Sequence, residues 1–331
     1  MTKTNFTALL VEKAGEKEYR RSIVNRSLED LPPGGLLVRV RYSSLNYKDA
    51  LSALGKPGVT KNYPHTPGID AVGEVVECLG GAFAPGDPVI VTGFDLGMNT
   101  AGGYGQYIRV SPDWAVRLPD GLSPRESMIL GTAGFTAALS VWKLAGAGIG
   151  PEAGDILVTG ASGGVGSLAV AILAKAGYRV TAATGKAAEK DFLLSLGAAE
   201  VISRDEVLAG SDRPMMKERW AGAVDVVGGE TLVAAIKSTR YGGAVTCCGL
   251  VASPELSMNV FPFILRGVSL LGVDSVQCPM ASRLKVWEKL AGDWKPAHLE
   301  SVVEETTLET LEPKFHAILK GQVKGRVLVK L

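Results

Sequence analysis

Eight residues, Thr159–Gly166 (TGASGGVG), place four glycines between two apolar segments of different character. The segment before them, DILVTGA, is a short continuous apolar run of the kind a strand shows when both its faces are buried. The segment after, from about Val165 to Ala176, has the length and composition of a helix. A strand that enters a helix through glycines leaves space for another molecule. Gly163 lets a pyrophosphate approach the backbone, Gly166 lets the helix lie close to the strand, and the unpaired N–H groups of the first helical turn face the anion. The form is Ala161-x-Gly163-x-x-Gly166, with Ala where the dinucleotide fingerprint has its first Gly and with Gly160 immediately before it. By itself such a turn can serve packing alone. The segments behind it supply the context: YRVTAAT, AEVISR, AVDVVGG and GAVTCCGL are further apolar runs separated by helix-length stretches. That alternation predicts an α/β chain with a doubly wound parallel sheet.

The residue missing downstream is equally informative. An NAD site carries Asp or Glu about 20 residues beyond the turn, bonded to the ribose 2′-OH. Here no acid occurs between Ser167 and Ala188, and the second strand ends in Thr184-Gly185-Lys186. A hydroxyl and an ammonium suit a 2′-phosphate, which a carboxylate would repel. Arg204, after the third strand, offers a second cation. The expected coenzyme is NADPH.

The first third of the chain is of another kind. LLVRVRY alternates Val38, Val40 and Tyr42 with Arg39 and Arg41, a half-buried strand, and GIDAVGEVVECLG, DPVIVTGF and GGYGQYIRV continue with strands bounded by Gly and Pro. Short strands with turn signals predict a small barrel-like or sandwich domain. GTAGFTAALSVWKLAGAG reads as a helix. The tail returns to strand (SLLGVDSV), helix (MASRLKVWEKLAGDW) and closing strand (GQVKGRVLVKL), and is expected to pack back on the first domain.

With 35 basic and 34 acidic residues the net charge is +1, which gives no footprint for nucleic acid or an anionic membrane surface. The four cysteines form no CxxC pair, and His65, His298 and His316 are far apart, so no metal motif stands out. No N-terminal targeting pattern and no stretch of about 20 apolar residues is read, and a soluble cytoplasmic protein is expected.

Several motifs in order resemble the medium-chain dehydrogenase/reductase superfamily: SSLNYKDAL (Ser43–Leu51), PGIDAVGEV (Pro67–Val75), GTAGFTA (Gly131–Ala137) and TGASGGVGS. They are most similar to its zinc-free quinone oxidoreductase branch. PFILRGVSLLGVDSV (Pro262–Val276) and GRVLVKL resemble the acrylyl-CoA reductase group within it. The resemblance runs from near Ala8 to Leu331. It implies a GroES-like β-barrel catalytic domain over 1–127 and 272–331, a Rossmann coenzyme domain over 128–271, and a homodimer joined through the SLLGV edge. The catalytic Cys and His of the zinc members match Asn46 and Ile69 here, so no zinc is expected. Coenzyme contacts carried over from the group fall on Tyr47, Ser162 to Val165, Thr184, Gly185, Lys186, Arg204, Leu250, Ile264 and Ser275. Where the group often has Ser-Gly-Arg, this chain has Thr184-Gly185-Lys186, which keeps the charge and loses the bidentate fork. A family Asn before the last strand matches Gly321.

The implied reaction is hydride transfer from NADPH to the β-carbon of an enoyl thioester, acryloyl-CoA above all, with a quinone or enone reductase as the alternative. The residues expected to act are Tyr47, as coenzyme positioner and then general acid, Asn46 as a donor, and Asp49 as an orienting group, with Thr132 and Thr136 lining the nicotinamide pocket. A third reading, a non-catalytic NADPH-binding structural or RNA-binding protein, finds no basic stripe to support its RNA form.

Overall fold

A computed structural model describes residues 4–331. The chain forms two units, one made of the chain up to Thr132 together with Leu299–Leu331, the other of Ala133–His298.

The first unit begins with the hairpin of β1 (Asn5–Lys13) and β2 (Tyr19–Ser27). It continues through β3 (Leu36–Ser44), the short helix α1 (Tyr47–Ala53), β4 (Asp70–Cys78), β5 (Pro88–Thr92), β6 (Tyr107–Val110) and β7 (Ala115–Arg117). As its alternation predicts, β3 turns Val38 and Val40 inward and Arg39 and Arg41 outward. Inside, they meet Ala71 and Val75 of β4, Val89 and Val91 of β5, and Ile108 and Val110 of β6. Outside, both arginines bracket Glu74, at 2.8 and 3.0 Å.

Helix α2 (Pro124–Gly146) carries the chain into the second unit and is broken at Gly131 (φ 51°, ψ −156°). The sequence reading found no apolar stretch of membrane-spanning length. This 23-residue helix corrects it, since it is long and apolar enough, but most of it is buried inside the protein, as a core helix is.

The second unit alternates as expected: β8 (Ile156–Val158), α3 (Gly164–Lys175), β9 (Val180–Thr184), α4 (Lys190–Ser195), β10 (Glu200–Ser203), α5 (Arg204–Leu208), β11 (Trp220–Asp225), α6 (Gly229–Ser238), β12 (Thr239–Cys247), α7 (Phe261–Arg266), β13 (Ser269–Gly272) and α8 (Met280–Ala291). The six strands are parallel, in the order β10-β9-β8-β11-β12-β13. The order reverses about β8, the switch point beside which ligands bind in doubly wound sheets.

The chain then returns to the first unit as β14 (Val303–Thr307), α9 (Glu312–Leu319) and β15 (Arg326–Lys330). β15 pairs with the C-terminal half of β3, while β6 pairs with its N-terminal half. The observed divisions fall at 132/133 and 298/299, against 127/128 and 271/272 in the sequence reading. The expectation that the whole tail packs on the first domain holds only from Leu299 onward. The reason is α8, whose Trp287 stacks on Phe135 of α2 with ring centroids 5.9 Å apart, both rings fully buried.

Candidate active site

The glycine turn leaves β8 and opens α3. Gly163 caps the helix in an extended conformation (φ −83°, ψ −179°) and donates its N–H to Gly160 O at 3.0 Å. The two fingerprint glycines meet different surroundings. A Cβ on Gly166 would lie 2.3 Å from Gly160 O and 2.7 Å from Ala161 Cα, so this glycine is where helix and turn touch. A Cβ on Gly163 would meet only Gly160 O at 3.4 Å and otherwise point into open space. The first turn of α3 contains no acidic side chain to compete for an anion.

β9 and β10 run parallel in register, with Ser203 beside Thr184, so the residues following each strand emerge side by side. Arg204 accordingly lies against Gly185: a Cβ there would be 2.9 Å from Arg204 Nη2. Thr184 Oγ1 bonds Ser162 Oγ at 3.0 Å and accepts from Lys186 N at 3.1 Å. Ser162, Thr184, Gly185, Lys186 and Arg204 are thus gathered at one end of the sheet's C-terminal edge. Leu250, after β12, and Ser275, after β13, lie on the other side of the switch point. Leu250 and Ile264 of α7 are apolar yet 65% and 68% exposed, and Ser275 is half-buried.

Asp225, at the end of β11, is a residue that the sequence reading passed over. It is fully buried, accepts from Thr159 Oγ1 at 2.7 Å and Gly228 N at 2.8 Å, and so ties the start of the glycine turn to the neighbouring loop. Burial pushes its carboxyl up, against the pull of these donors.

In the first unit the polar residues converge on Asp70, the first residue of β4. Its Oδ2 accepts from Ser44 Oγ (2.5 Å), Asn46 Nδ2 (2.8 Å) and Thr132 N (2.9 Å), and its Oδ1 from Thr132 Oγ1 (2.5 Å). Arg326, first residue of β15, reaches the same cluster. It donates to Ile129 O, Leu45 O, Asn46 Oδ1 and Ser44 Oγ at 2.8–3.3 Å and stands 3.9 Å from Asp70 Oδ2. The helix break makes room for this: a Cβ on Gly131 would lie 2.5 Å from Asp70 Oδ2 and 2.6 Å from Ser44 Oγ, and its positive φ suits only glycine.

The predicted acting residues separate within this cluster. Tyr47 opens α1 and is 38% exposed. Asn46 is buried, with Nδ2 engaged by Asp70 and Oδ1 by Arg326, so the amide expected to serve as a donor to a ligand is committed inside the protein. Asp49 is fully buried and accepts from Asn46 N and Ile69 N, both at 2.8 Å. Thr132 is held by Asp70, and Thr136, on the following turn of α2, belongs to the second unit. Asp70 and Arg326 were not singled out from sequence. A carboxylate in an apolar strand and an arginine at the head of another were the available signal.

Burial, and then the Asp70 carboxylate, push the Asp49 carboxyl from the ordinary 3.8 up to about 7. Between those values the folded chain holds a proton that the unfolded chain has lost, so stability falls as pH rises through the window. In urea titrations across that range, the parent is expected to lose stability relative to Asp49→Asn. A difference that stays constant with pH would refute this.

Comparison with known proteins accords with this architecture. Residues 32–120 match the alcohol dehydrogenase GroES-like domain family, and residues 164–291 match the zinc-binding dehydrogenase family. The chain belongs to the medium-chain dehydrogenase/reductase superfamily. Within it, the chain is 46% identical to acrylyl-CoA reductase AcuI of Ruegeria pomeroyi over 98% of both chains. It is 47% identical, over 99% of both chains, to YhfP of Bacillus subtilis, provisionally named a quinone oxidoreductase. The structure of that protein with NAD bound superposes at a TM-score of 0.96. The yhdH oxidoreductase of Salmonella enterica in complex with NADP, 44% identical over 98% and 99% of the two chains, superposes at 0.95. Among the described residues no group of three or more His, Cys, Asp or Glu is placed to hold a metal ion. Gly321 is exposed at the end of α9 with φ 65°, a left-handed helix terminus.

Proposed function

We propose that the chain is a zinc-independent, NADPH-dependent reductase that adds hydride to the β-carbon of an activated alkene, converting acryloyl-CoA to propionyl-CoA. The observation that carries the coenzyme is the end of β9, where no carboxylate stands and Lys186 and Arg204 flank Gly185. The open space beside Gly163 suits the pyrophosphate. One similar structure carries NADP and another NAD, so the preference of this chain is argued from the side chains at the end of β9. The substrate rests on the likeness to the Ruegeria enzyme. β13 is an edge strand of the sheet, the place where a homodimer of the family pattern would pair.

When bound, the reduced nicotinamide supplies the hydride. As the β-carbon accepts it, charge moves to the thioester oxygen, and a proton at the α-carbon completes the product. The chain's part is to hold the reactants, keep water out and oppose that charge. Tyr47, 38% exposed, is assigned to positioning the coenzyme first and giving a proton second. Asn46 and Asp49 act through the neighbours they fix. Ser162 to Val165, Thr184, Gly185, Lys186 and Arg204 take the adenosine phosphate end, while Thr132, Thr136, Leu250, Ile264 and Ser275 take the nicotinamide end.

A quinone or enone reductase is the second reading, favoured by the name that YhfP carries. One experiment separates the readings: kcat/KM for acryloyl-CoA, a naphthoquinone and a small enone, each with NADPH and NADH, read by nicotinamide absorbance. Acryloyl-CoA is expected to exceed the quinone by about 100-fold, a margin that a site built around one substrate's polar groups can reach. The reverse order would favour the second reading, and NADPH bound but never consumed would favour a non-catalytic protein. In the same assay Lys186→Glu is expected to raise KM for NADPH about 10-fold more than for NADH, by charge repulsion at the 2′-phosphate. An equal rise would remove Lys186 from that contact.

A further inference from the structure

Arg283 of α8 is 1% exposed, an unusual place for a guanidinium. Its Nη2 donates to two successive main-chain oxygens, Ser275 O at 2.9 Å and Val276 O at 3.1 Å. Its Cζ lies 4.9 Å from the ring centre of Phe135, which is itself fully buried and stacked on Trp287. One side chain therefore joins three things: the loop after β13, the helix α8, and the segment of α2 that carries Thr136. The loop is also held from within, since Asp274 Oδ1 accepts from Val276 N (2.8 Å) and Gln277 N (3.2 Å).

The position in the sheet gives this clamp a meaning. The 2′-phosphate determinants lie at the end of β9, on one side of β8, and the loop clamped by Arg283 follows β13, at the far edge beyond β11 and β12. A dinucleotide laid across the C-terminal ends of the strands, with its pyrophosphate on the glycine turn, brings its second nucleoside to the β11–β13 side. We infer that Arg283 is a positioning residue for the nicotinamide half of the coenzyme: it sets the main chain of Ser275 and Val276 against α2. The inference rests on the dinucleotide reading above and adds to it a residue with no direct contact with the ligand. Lysine reproduces the clamp poorly: its ammonium could reach the two oxygens, but it is a compact, strongly hydrated charge on a flexible stem and lacks the planar face that lies against the Phe135 ring.

The test compares the parent with Arg283→Lys and Arg283→Met, using calorimetric titration with two probes. Adenosine 2′,5′-bisphosphate occupies only the adenosine side, whereas NADPH occupies both. For Arg283→Lys the affinity for the bisphosphate is expected to stay within about 2-fold, while NADPH binds about 10-fold more weakly and KM for NADPH rises by the same factor, the scale of one misplaced polar contact. Arg283→Met is expected to show the same split, larger. An equal loss for both probes would mean general damage to the unit and would overturn the inference, as would no loss for either. If both variants are insoluble, hydrogen exchange of the parent reads the same device: protection of Ser275–Cys278 should rise with NADPH and not with the bisphosphate. Protection indifferent to NADPH would overturn it. A parent that binds neither probe would instead overturn the coenzyme reading.

Discussion

Gly163→Val is expected to leave the fold intact and abolish nucleotide binding. The backbone there is extended, with φ −83° and ψ −179°, a conformation that valine adopts readily. A Cβ there would find Gly160 O at 3.4 Å and nothing else within 4 Å, so stability should change by no more than about 1 kcal/mol. The same side chain would fill the space where a pyrophosphate must lie and cover the N–H groups of α3. The expected loss of NADPH affinity is at least 100-fold, about 2.7 kcal/mol, measured by titration calorimetry. Gly166→Ala is the control with the opposite cause. Its Cβ would stand 2.3 Å from Gly160 O, a main-chain atom that cannot swing aside, so this substitution should damage the turn itself and lower Tm. A Gly163→Val chain that binds NADPH like the parent would remove the turn from the site.

Arg326→Met is expected to destabilise the first unit severely. The guanidinium is 3% exposed and serves Ile129 O, Leu45 O, Asn46 Oδ1 and Ser44 Oγ as well as facing Asp70. Methionine fills much of the volume but leaves those oxygens without a donor and the Asp70 carboxylate without its cation. Breaking one side of a buried charge pair costs about 3–5 kcal/mol. Urea unfolding should show that loss with an unchanged slope, and activity should fall with it because Asn46 loses its Arg326 partner and Asp70, which holds Thr132, loses its cation. Stability within about 1 kcal/mol of the parent would show that this network contributes little to the fold.

The doubly wound sheet was legible because its central strands β8, β9 and β11 are short, wholly buried runs and the turn after β8 carries its glycines. The meeting of Arg204 with Gly185 was legible in part, since the parallel pairing of two successive strands brings the residues that follow them side by side. The Asp70–Arg326 cluster was not. Its members come from β3, β4, α2 and β15, and Arg326 lies 256 positions from Asp70 in the chain; no local pattern encodes a contact set by sheet pairing. Asn46 shows the same limit in another form. Its residue type announces a hydrogen bond, but whether the bond faces a ligand or the interior is decided by tertiary neighbours. The boundary near residue 272 was misplaced for a similar reason: the attachment of α8 to the second unit depends on Arg283 and Trp287 meeting Phe135, which lies about half the chain away.

The placement of Arg204 over Gly185 also bears on how coenzyme choice could drift between related chains. On the proposed placement of the ribose, an acidic side chain introduced at position 185 alone would arrive beside an existing cation and pair with it, which competes with its hold on a ribose hydroxyl. Exchange of one nucleotide for the other therefore has a preferred order of steps, with the arginine lost before the acid arrives. Because Gly185 and Arg204 are both exposed, that path runs over the surface and leaves the hydrophobic interior untouched.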